Sequence, residues 1–202
     1  MYRLYDYLPS GNGYKVRLVL KDLGLPYELV ALDITKGATR TPEFLARNPN
    51  GRIPVLEVPG HGPLAESHAI IQFLAADSRL VPRDPWARAL MWQWLCFEQY
   101  NLEPAIGTAR FWLESLGRSP ADLGEALGER QARGRAALAV LEQGLTGRRF
   151  LVEEQYSLAD VALYAYTHVA PGAGLALDAY PAIRAWITRV EAEPRWAPIT
   201  VP

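Results

Sequence analysis

One cysteine, Cys96, in 202 residues excludes an internal disulfide, a Cys-x-x-Cys redox pair and a cysteine-built zinc site. The three histidines, His61, His68 and His168, lack the i, i+4 spacing that places two metal ligands on one helical face, so no metal site is expected. A basic surplus is missing too: 21 Lys plus Arg stand against 22 Asp plus Glu, a net charge of −1, and phosphate backbones find no complementary field. No run approaches the roughly 18–20 apolar residues of a membrane span, and the start, MYRLYDYLPS, has no basic stretch leading into an apolar one, which points to a cytoplasmic protein. What is present is ordinary globular chemistry. Half the residues are hydrophobic and 21% are charged, enough apolar surface for one large domain or two small ones.

The two halves differ in pattern. From Met1 to about Ala76, short strand-like and helix-like segments alternate between Gly and Pro punctuation, the mark of α/β organisation. Tyr2 to Tyr7 predicts a strand; Val16, Val19, Leu20 and Leu23 predict a helix over Lys15 to Leu23 that Gly24 ends. A second strand follows Pro26, and Thr41-Pro42 opens a short helix. Ile53 to Val58 and Leu64-Ala65 predict a hairpin, and Ser67 is placed to cap a third helix. Past Pro82 and Pro85 only long helical stripes remain: Trp86 to about Leu116, Pro120 to Leu145, a Ser157-Leu158-Ala159-Asp160 capping box, and a last helix opened by Pro181. The expected division is 1–78 for the mixed domain and 86–202 for the helical one.

Three segments carry candidate chemistry. Leu8-Pro9-Ser10-Gly11-Asn12-Gly13 joins the first strand to the first helix, where small hydrogen-bonding residues can meet an anion at the positive helix end or can simply cap it. Asn48-Pro49-Asn50-Gly51-Arg52-Ile53-Pro54 delivers the chain into a strand past a proline, a place for an ordinary edge proline or for a cis bond that redirects the backbone of Ile53. Glu66-Ser67 can hold an amino acid zwitterion, the acid taking an ammonium and the helix start a carboxylate, or can be a cap beside an exposed acid.

In this order, and followed by a helical half with Ser157-Leu158-Ala159-Asp160, these segments resemble the cytosolic glutathione S-transferases over essentially the whole chain. The resemblance implies an α/β plus all-α fold, with a thioredoxin-like N-terminal domain (βαβαββα) and an all-helical C-terminal domain, and glutathione as co-substrate near the first domain. It places Ile53 where the backbone pairs with the cysteinyl unit, Pro54 at the family's cis-proline, and Glu66 and Ser67 at the γ-glutamyl pair. Lys36, Arg40 and Arg52 are candidates for the glycine carboxylate, with Lys36 and Arg52 preferred. Ser10-Gly11-Asn12-Gly13 with Lys15 resembles the bacterial nu-like Thr/Ser-x-Asn-Gly-x-Lys turn, which makes Ser10 the activating residue with Asn12 assisting, and leaves Tyr5 and Tyr7 to packing. Trp92, Phe97, Tyr100, Arg110, Phe111 and Trp112 are core, dimer or substrate-pocket residues, and Cys96 has no assigned role. The implied activity is attack of the glutathione thiolate on a small electrophile. Glutathione-dependent disulfide reduction and non-catalytic glutathione binding are the alternatives. A homodimer is implied, and the scarcity of lysine (Lys15, Lys21 and Lys36 alone) suggests a bacterial source.

Overall fold

Residues 2–6 alternate and pair on both sides, which makes them the inner strand of the sheet. In the computed structural model, which describes all 202 residues, β1 (Tyr2–Asp6) lies between β2 (Tyr27–Ala31), to which it is parallel, and β3 (Val55–Val58), to which it is antiparallel. β4 (Gly62–Ala65) completes the order β2-β1-β3-β4 and forms the expected hairpin with β3. α1 (Gly11–Asp22) makes the crossover from β1 to β2. Gly24, at φ 65°, takes the left-handed position after it, and the Leu25 N–H reaches back to the Leu20 carbonyl.

Strand residues alternate between faces, so Leu4 and Leu56 point one way while Tyr5 and Val55 point the other. Tyr5, Phe44 of α2 (Pro42–Leu45) and Val55 form a core cluster with Val30, Leu32, Ile53 and Ala65 packed against it. α3 (Ser67–Ala75) packs on α1 and buries Ile70, Ile71 and Ala75. Each aliphatic side chain so buried contributes about 1.5–3 kcal/mol.

Two compact units result: Met1–Arg79 with Pro194–Pro202, and Leu80–Glu193. The tail departs from the expected 86–202 domain. Its backbone accepts hydrogen bonds from the first unit, the Tyr14 hydroxyl to Ala197 O at 2.6 Å and Arg17 Nη2 to Ile199 O at 2.9 Å. Sequence periodicity cannot reveal this, because the acceptors are main-chain carbonyls that any residue supplies.

The second unit is helical, and its one β feature is the isolated bridge between Val152 and Gln155. α4 (Pro85–Phe97) starts at Asp84, whose carboxylate accepts from the Ala87 N–H at 2.8 Å. The uninterrupted helix expected as far as Leu116 instead widens into π-helical turns over Glu98–Gly107, returns to α5 (Thr108–Arg110), and widens again over Phe111–Ser115. Pro104 lies inside the first of these stretches, where it has no N–H to give and its ring crowds the preceding turn. α6 (Pro120–Leu145) bends at Gly124, whose φ of 49° a side chain would resist. No helix is long and apolar enough to cross a membrane.

α7 (Leu158–Thr167) and α8 (Pro181–Glu191) meet at one buried carboxylate. Asp160 Oδ2 accepts from the Ser157 N–H at 2.9 Å and its hydroxyl at 3.0 Å, while Oδ1 accepts from the Leu151 N–H at 3.1 Å and the Trp186 indole at 2.9 Å. Burial pushes this carboxyl up to about 6, opposed by the donors around it, Trp186 first. Asp160→Ala strands those donors in the interior, at roughly 1–3 kcal/mol for each unsatisfied group. The expected loss of stability is about 3 kcal/mol, read as a lowered urea midpoint; a variant with the wild-type midpoint would contradict it.

Candidate glutathione site

The chain leaves β1 at Asp6, turns through Tyr7–Pro9, and enters α1 four residues earlier than the apolar stripe predicts. The Ser10 N–H donates to Tyr7 O at 2.7 Å, and the Ser10 hydroxyl accepts from the Gly13 N–H at 3.4 Å, so Ser10 is the N-cap. Gly11, Asn12 and Gly13 are therefore the first helical turn rather than part of the preceding loop. Their low helix propensity hides this in sequence, and the cap overrides it. No acidic side chain belongs to that turn, although the Asp6 carboxylate packs against Gly13 from the end of β1.

Under the turn lies a charged pair. Asp6 and Arg17 are both nearly inaccessible and bridge at 2.9 Å, with Arg17 Nη2 also donating to Leu8 O at 2.8 Å. Burial pushes the Asp6 carboxyl up to about 7 against the pull of Arg17 and the Tyr7 N–H, and burial also lowers Arg17. The pair anchors the Tyr7 N–H and the Leu8 carbonyl at the end of β1.

Asn12 joins the helix to its neighbour. Its Oδ1 accepts from Lys15 Nζ at 2.9 Å and from the Ser67 hydroxyl at 3.3 Å, and Lys15 Nζ also lies 3.3 Å from His68 Nε2. The expected N-cap role of Ser67 does not hold. Ser67 is the first residue of α3, and its hydroxyl turns to Asn12. The cap position belongs to Glu66, at φ 69° and ψ 115° with no side-chain cap bond. A non-glycine residue there carries strain of order 1–3 kcal/mol, a kind of strain that gathers at ligand clamps. Glu66 is exposed and Ser67 buried, so the carboxylate faces outward beside an uncapped helix start.

The Ile53–Pro54 bond is cis. Pro54 is not the second residue of a strand as expected but precedes β3, because it has no N–H for the ladder. Asn48 shapes the loop before it: the side-chain amide donates to Arg52 O at 2.8 Å and its oxygen accepts from the Asn50 N–H at 3.1 Å. Arg52 is exposed on this loop, and Arg40 Nη1 reaches Asn50 O at 3.2 Å. Lys36 pairs with Asp33 at 3.0 Å within its own turn, its side chain 82% exposed. Asn12 of α1 and Ser67 of α3 are thus brought into contact, Ile53 and Pro54 lead into β3, and Lys36 is paired locally with Asp33.

Tyr5 is a packing residue, edge-on to Phe44 with its hydroxyl on Glu57 Oε1 at 3.0 Å. Tyr7 is half-buried, its N–H on Asp6. In the second unit Trp92 and Tyr100 are exposed, Phe97 packs edge-on to Trp94, Arg110 pairs with Glu114 at 2.6 Å, and Arg130 lies over Trp112. No group of three or more His, Cys, Asp or Glu is placed to hold a metal ion. Asp6 and Arg17 were missed from sequence, and Asn48 and His68 were noticed there without the contacts they make. Arg17 had a signal: it is a charge set among Val16, Leu18, Val19 and Leu20 on an apolar helix.

A four-stranded βαβαββα unit with a cis-proline before β3, followed by a helical unit, defines the class of thioredoxin-like domains joined to a helical partner. Family models described as "Glutathione S-transferase, N-terminal domain" and "Glutathione S-transferase, C-terminal domain" match residues 1–76 and 90–194. A glutathione S-transferase structure from Pseudomonas fluorescens is 48% identical, with 98% of each chain covered and a TM-score of 0.95. The disulfide-bond oxidoreductase YfcG of Escherichia coli is 30% identical, covering 93% of this chain and 89% of that one. A glutathione transferase from Burkholderia graminis, solved with two glutathione molecules bound per subunit, is 31% identical over 96% of this chain and 85% of that one, with a TM-score of 0.84. The chain belongs to the cytosolic glutathione S-transferase family: it is a glutathione transferase, and glutathione is its co-substrate.

Gly13 tests the construction of the helix tip. A Cβ there would overlap the carboxylate of Asp6, which Arg17 and the Tyr7 N–H hold from the other side. Gly13→Ala is expected to lose about 1–3 kcal/mol of stability and to weaken glutathione binding at the displaced turn. A fully stable variant with wild-type glutathione affinity would show that the tip is not so constrained.

Proposed function

We propose that the protein activates the thiol of glutathione as its thiolate for attack on a small electrophile, with the Ser10 hydroxyl and the Asn12 amide at the sulfur. The observation that carries this reading is the hold on Asn12: Lys15 and Ser67 both donate to Oδ1 at an α1 start without acidic residues. Ser10 accepts from Gly13 through one lone pair, which leaves its O–H to donate. A free thiol near 8.5 must fall by about two units to be mostly ionised at neutral pH, which needs ~2.7 kcal/mol of preference for the anion. One hydroxyl hydrogen bond to a charged group contributes ~1.5–3 kcal/mol and the helix end ~0.3–1 kcal/mol, so no separate general base is required.

In the same reading, Glu66 takes the γ-glutamyl ammonium and the start of α3 at Ser67 its carboxylate, the backbone of Ile53 before Pro54 pairs with the cysteinyl unit, and Arg52 with Lys36 faces the glycine carboxylate. The thiolate then displaces a leaving group from the electrophile, forming a C–S bond as the leaving group departs with its electron pair. A cytoplasmic setting, where glutathione is kept reduced, suits this chemistry, and the bias towards arginine suits a bacterial source.

A second reading is disulfide reduction, favoured by the likeness to YfcG and by the neighbour holding two glutathiones. One thiolate attacks the disulfide and expels a thiolate, and a second glutathione resolves the mixed disulfide to glutathione disulfide. Turnover of an aryl halide against hydroxyethyl disulfide ranks the two: faster conjugation supports the first reading, and reduction without conjugation replaces it.

Ser10→Ala is expected to raise the pKa of bound glutathione and to lower conjugation at neutral pH about 10- to 100-fold, ~1.4–2.8 kcal/mol, with little change in affinity and partial recovery at higher pH. Ultraviolet titration of the thiolate decides the matter. If Asn12→Ala shifts the titration and Ser10→Ala does not, Asn12 is the principal donor.

We also propose a homodimer. Trp86, Trp92 and Tyr100 are exposed along the helical run that begins with α4, Trp86 at 71% and Tyr100 at 77%, aromatic surface that a second subunit can cover. Sedimentation should give twice 22.5 kDa, and a 22.5 kDa species at micromolar concentration would contradict it.

A further inference from the structure

Lys15 has no accessible surface, although it stands on the helix that opens the candidate site. Hiding an ammonium is unfavourable unless its donors are satisfied, and an apolar side chain of the same length would fill the space without that desolvation. Two contacts of Lys15 Nζ bear on the helix tip: Asn12 Oδ1 at 2.9 Å, one helical turn back, and His68 Nε2 at 3.3 Å, across on α3. Ser67, next to His68, donates to the same Asn12 oxygen.

A carboxamide has one accepting end and one donating end, and its two faces differ little in shape. Without a fixed partner, Asn12 can present either end to a bound sulfur. Its oxygen would repel a thiolate; its nitrogen would donate to it. Two donors converging on Oδ1 select the second arrangement, and the stronger of them, being charged, is Lys15.

We propose that Lys15 is a positioning residue for thiol activation: its buried ammonium holds the Asn12 carboxamide with the nitrogen towards the bound sulfur and, through Ser67 and His68, ties that orientation to the γ-glutamyl end of the site. The inference rests on the assisting role of Asn12 in the function proposed above. Because Lys15 acts through Asn12, its loss affects the ionised thiol far more than the binding of glutathione, and it has no further effect once Asn12 is gone. A purely structural lysine would instead alter affinity and stability together, and a lysine acting on the sulfur through its charge alone would act equally with and without Asn12.

The test is a double-mutant cycle over Lys15→Met and Asn12→Ala, read by ultraviolet titration of bound glutathione at saturation and by the split between kcat and KM. Lys15→Met is expected to raise the bound thiol's pKa by about one unit, a tenfold smaller thiolate fraction below the pKa, with kcat reduced accordingly and glutathione affinity changed less than about threefold. In the Asn12→Ala background the same change should leave the titration where Asn12→Ala put it. Lys15→Gln, which restores a neutral donor, should recover part of the shift. Should the Met variant fail to fold, Lys15→Leu carries the same expectation. If Asn12→Ala alone leaves the titration unmoved, the reading of Asn12 falls and that of Lys15 with it. If Asn12→Ala moves it and Lys15→Met does not, or moves it equally in both backgrounds, the positioning role alone is overturned.

Discussion

The first turn of α1 is held from two sides, and the candidate site depends on that grip. From below, the buried Asp6–Arg17 pair fixes the end of β1, the Leu8 carbonyl and the returning tail at Ile199. From the side, Lys15 and Ser67 close on Asn12 and bind α1 to α3. A buried ion pair is a weak source of net stability, since desolvation opposes the Coulomb attraction, but removing one member leaves an uncompensated charge at about 3–5 kcal/mol. That asymmetry makes such a pair suited to fixing position: few alternative arrangements satisfy both charges. The directions at Asp6 and Arg17, both displaced towards neutrality by burial, express the same tension.

The second unit uses a related device. Asp160 gathers donors from Leu151, Ser157 and Trp186, three separate stretches of chain, onto two oxygens with no exposed surface. The capping box that the sequence announces is therefore more than a local helix start; it is the point where the chain before α7 and the indole of α8 are locked to α7. In both units a single buried aspartate joins separate stretches of chain, Asp6 through Arg17 and Asp160 through Trp186.

Strain at Glu66 fits this pattern. A residue at φ 69° persists only where its neighbours over-determine it, and here β4 ends at Ala65 while Ser67 is already drawn to Asn12. The strained link sits between the edge strand β4 and the start of α3, where the exposed Glu66 lies beside uncapped N–H groups. Packing of α3 on α1, through residues such as Ile70 and Ile71, supplies the favourable burial against which that strain is set.

The order of elements was legible in the amino-acid sequence because it rests on short-range causes: alternation in Tyr2 to Tyr7, the stripe of Val16, Val19, Leu20 and Leu23, the Gly24 stop, the Ser157 to Asp160 box and the Pro181 start all act within a turn or two of chain. The motifs around Ser10, Pro54 and Glu66 were visible for the same reason. Only the tertiary structure decided that α1 begins at Gly11, that Ser67 serves Asn12 rather than its own helix, that the chain past Glu98 widens around Pro104, and that Pro194–Pro202 returns to the first unit. The roles of Ser67 and of the returning tail turn on partners far away in sequence, and Lys15 with Arg17 shows the same: a charge on an apolar helix reads as an interruption until the fold brings His68 and Asp6 to meet it.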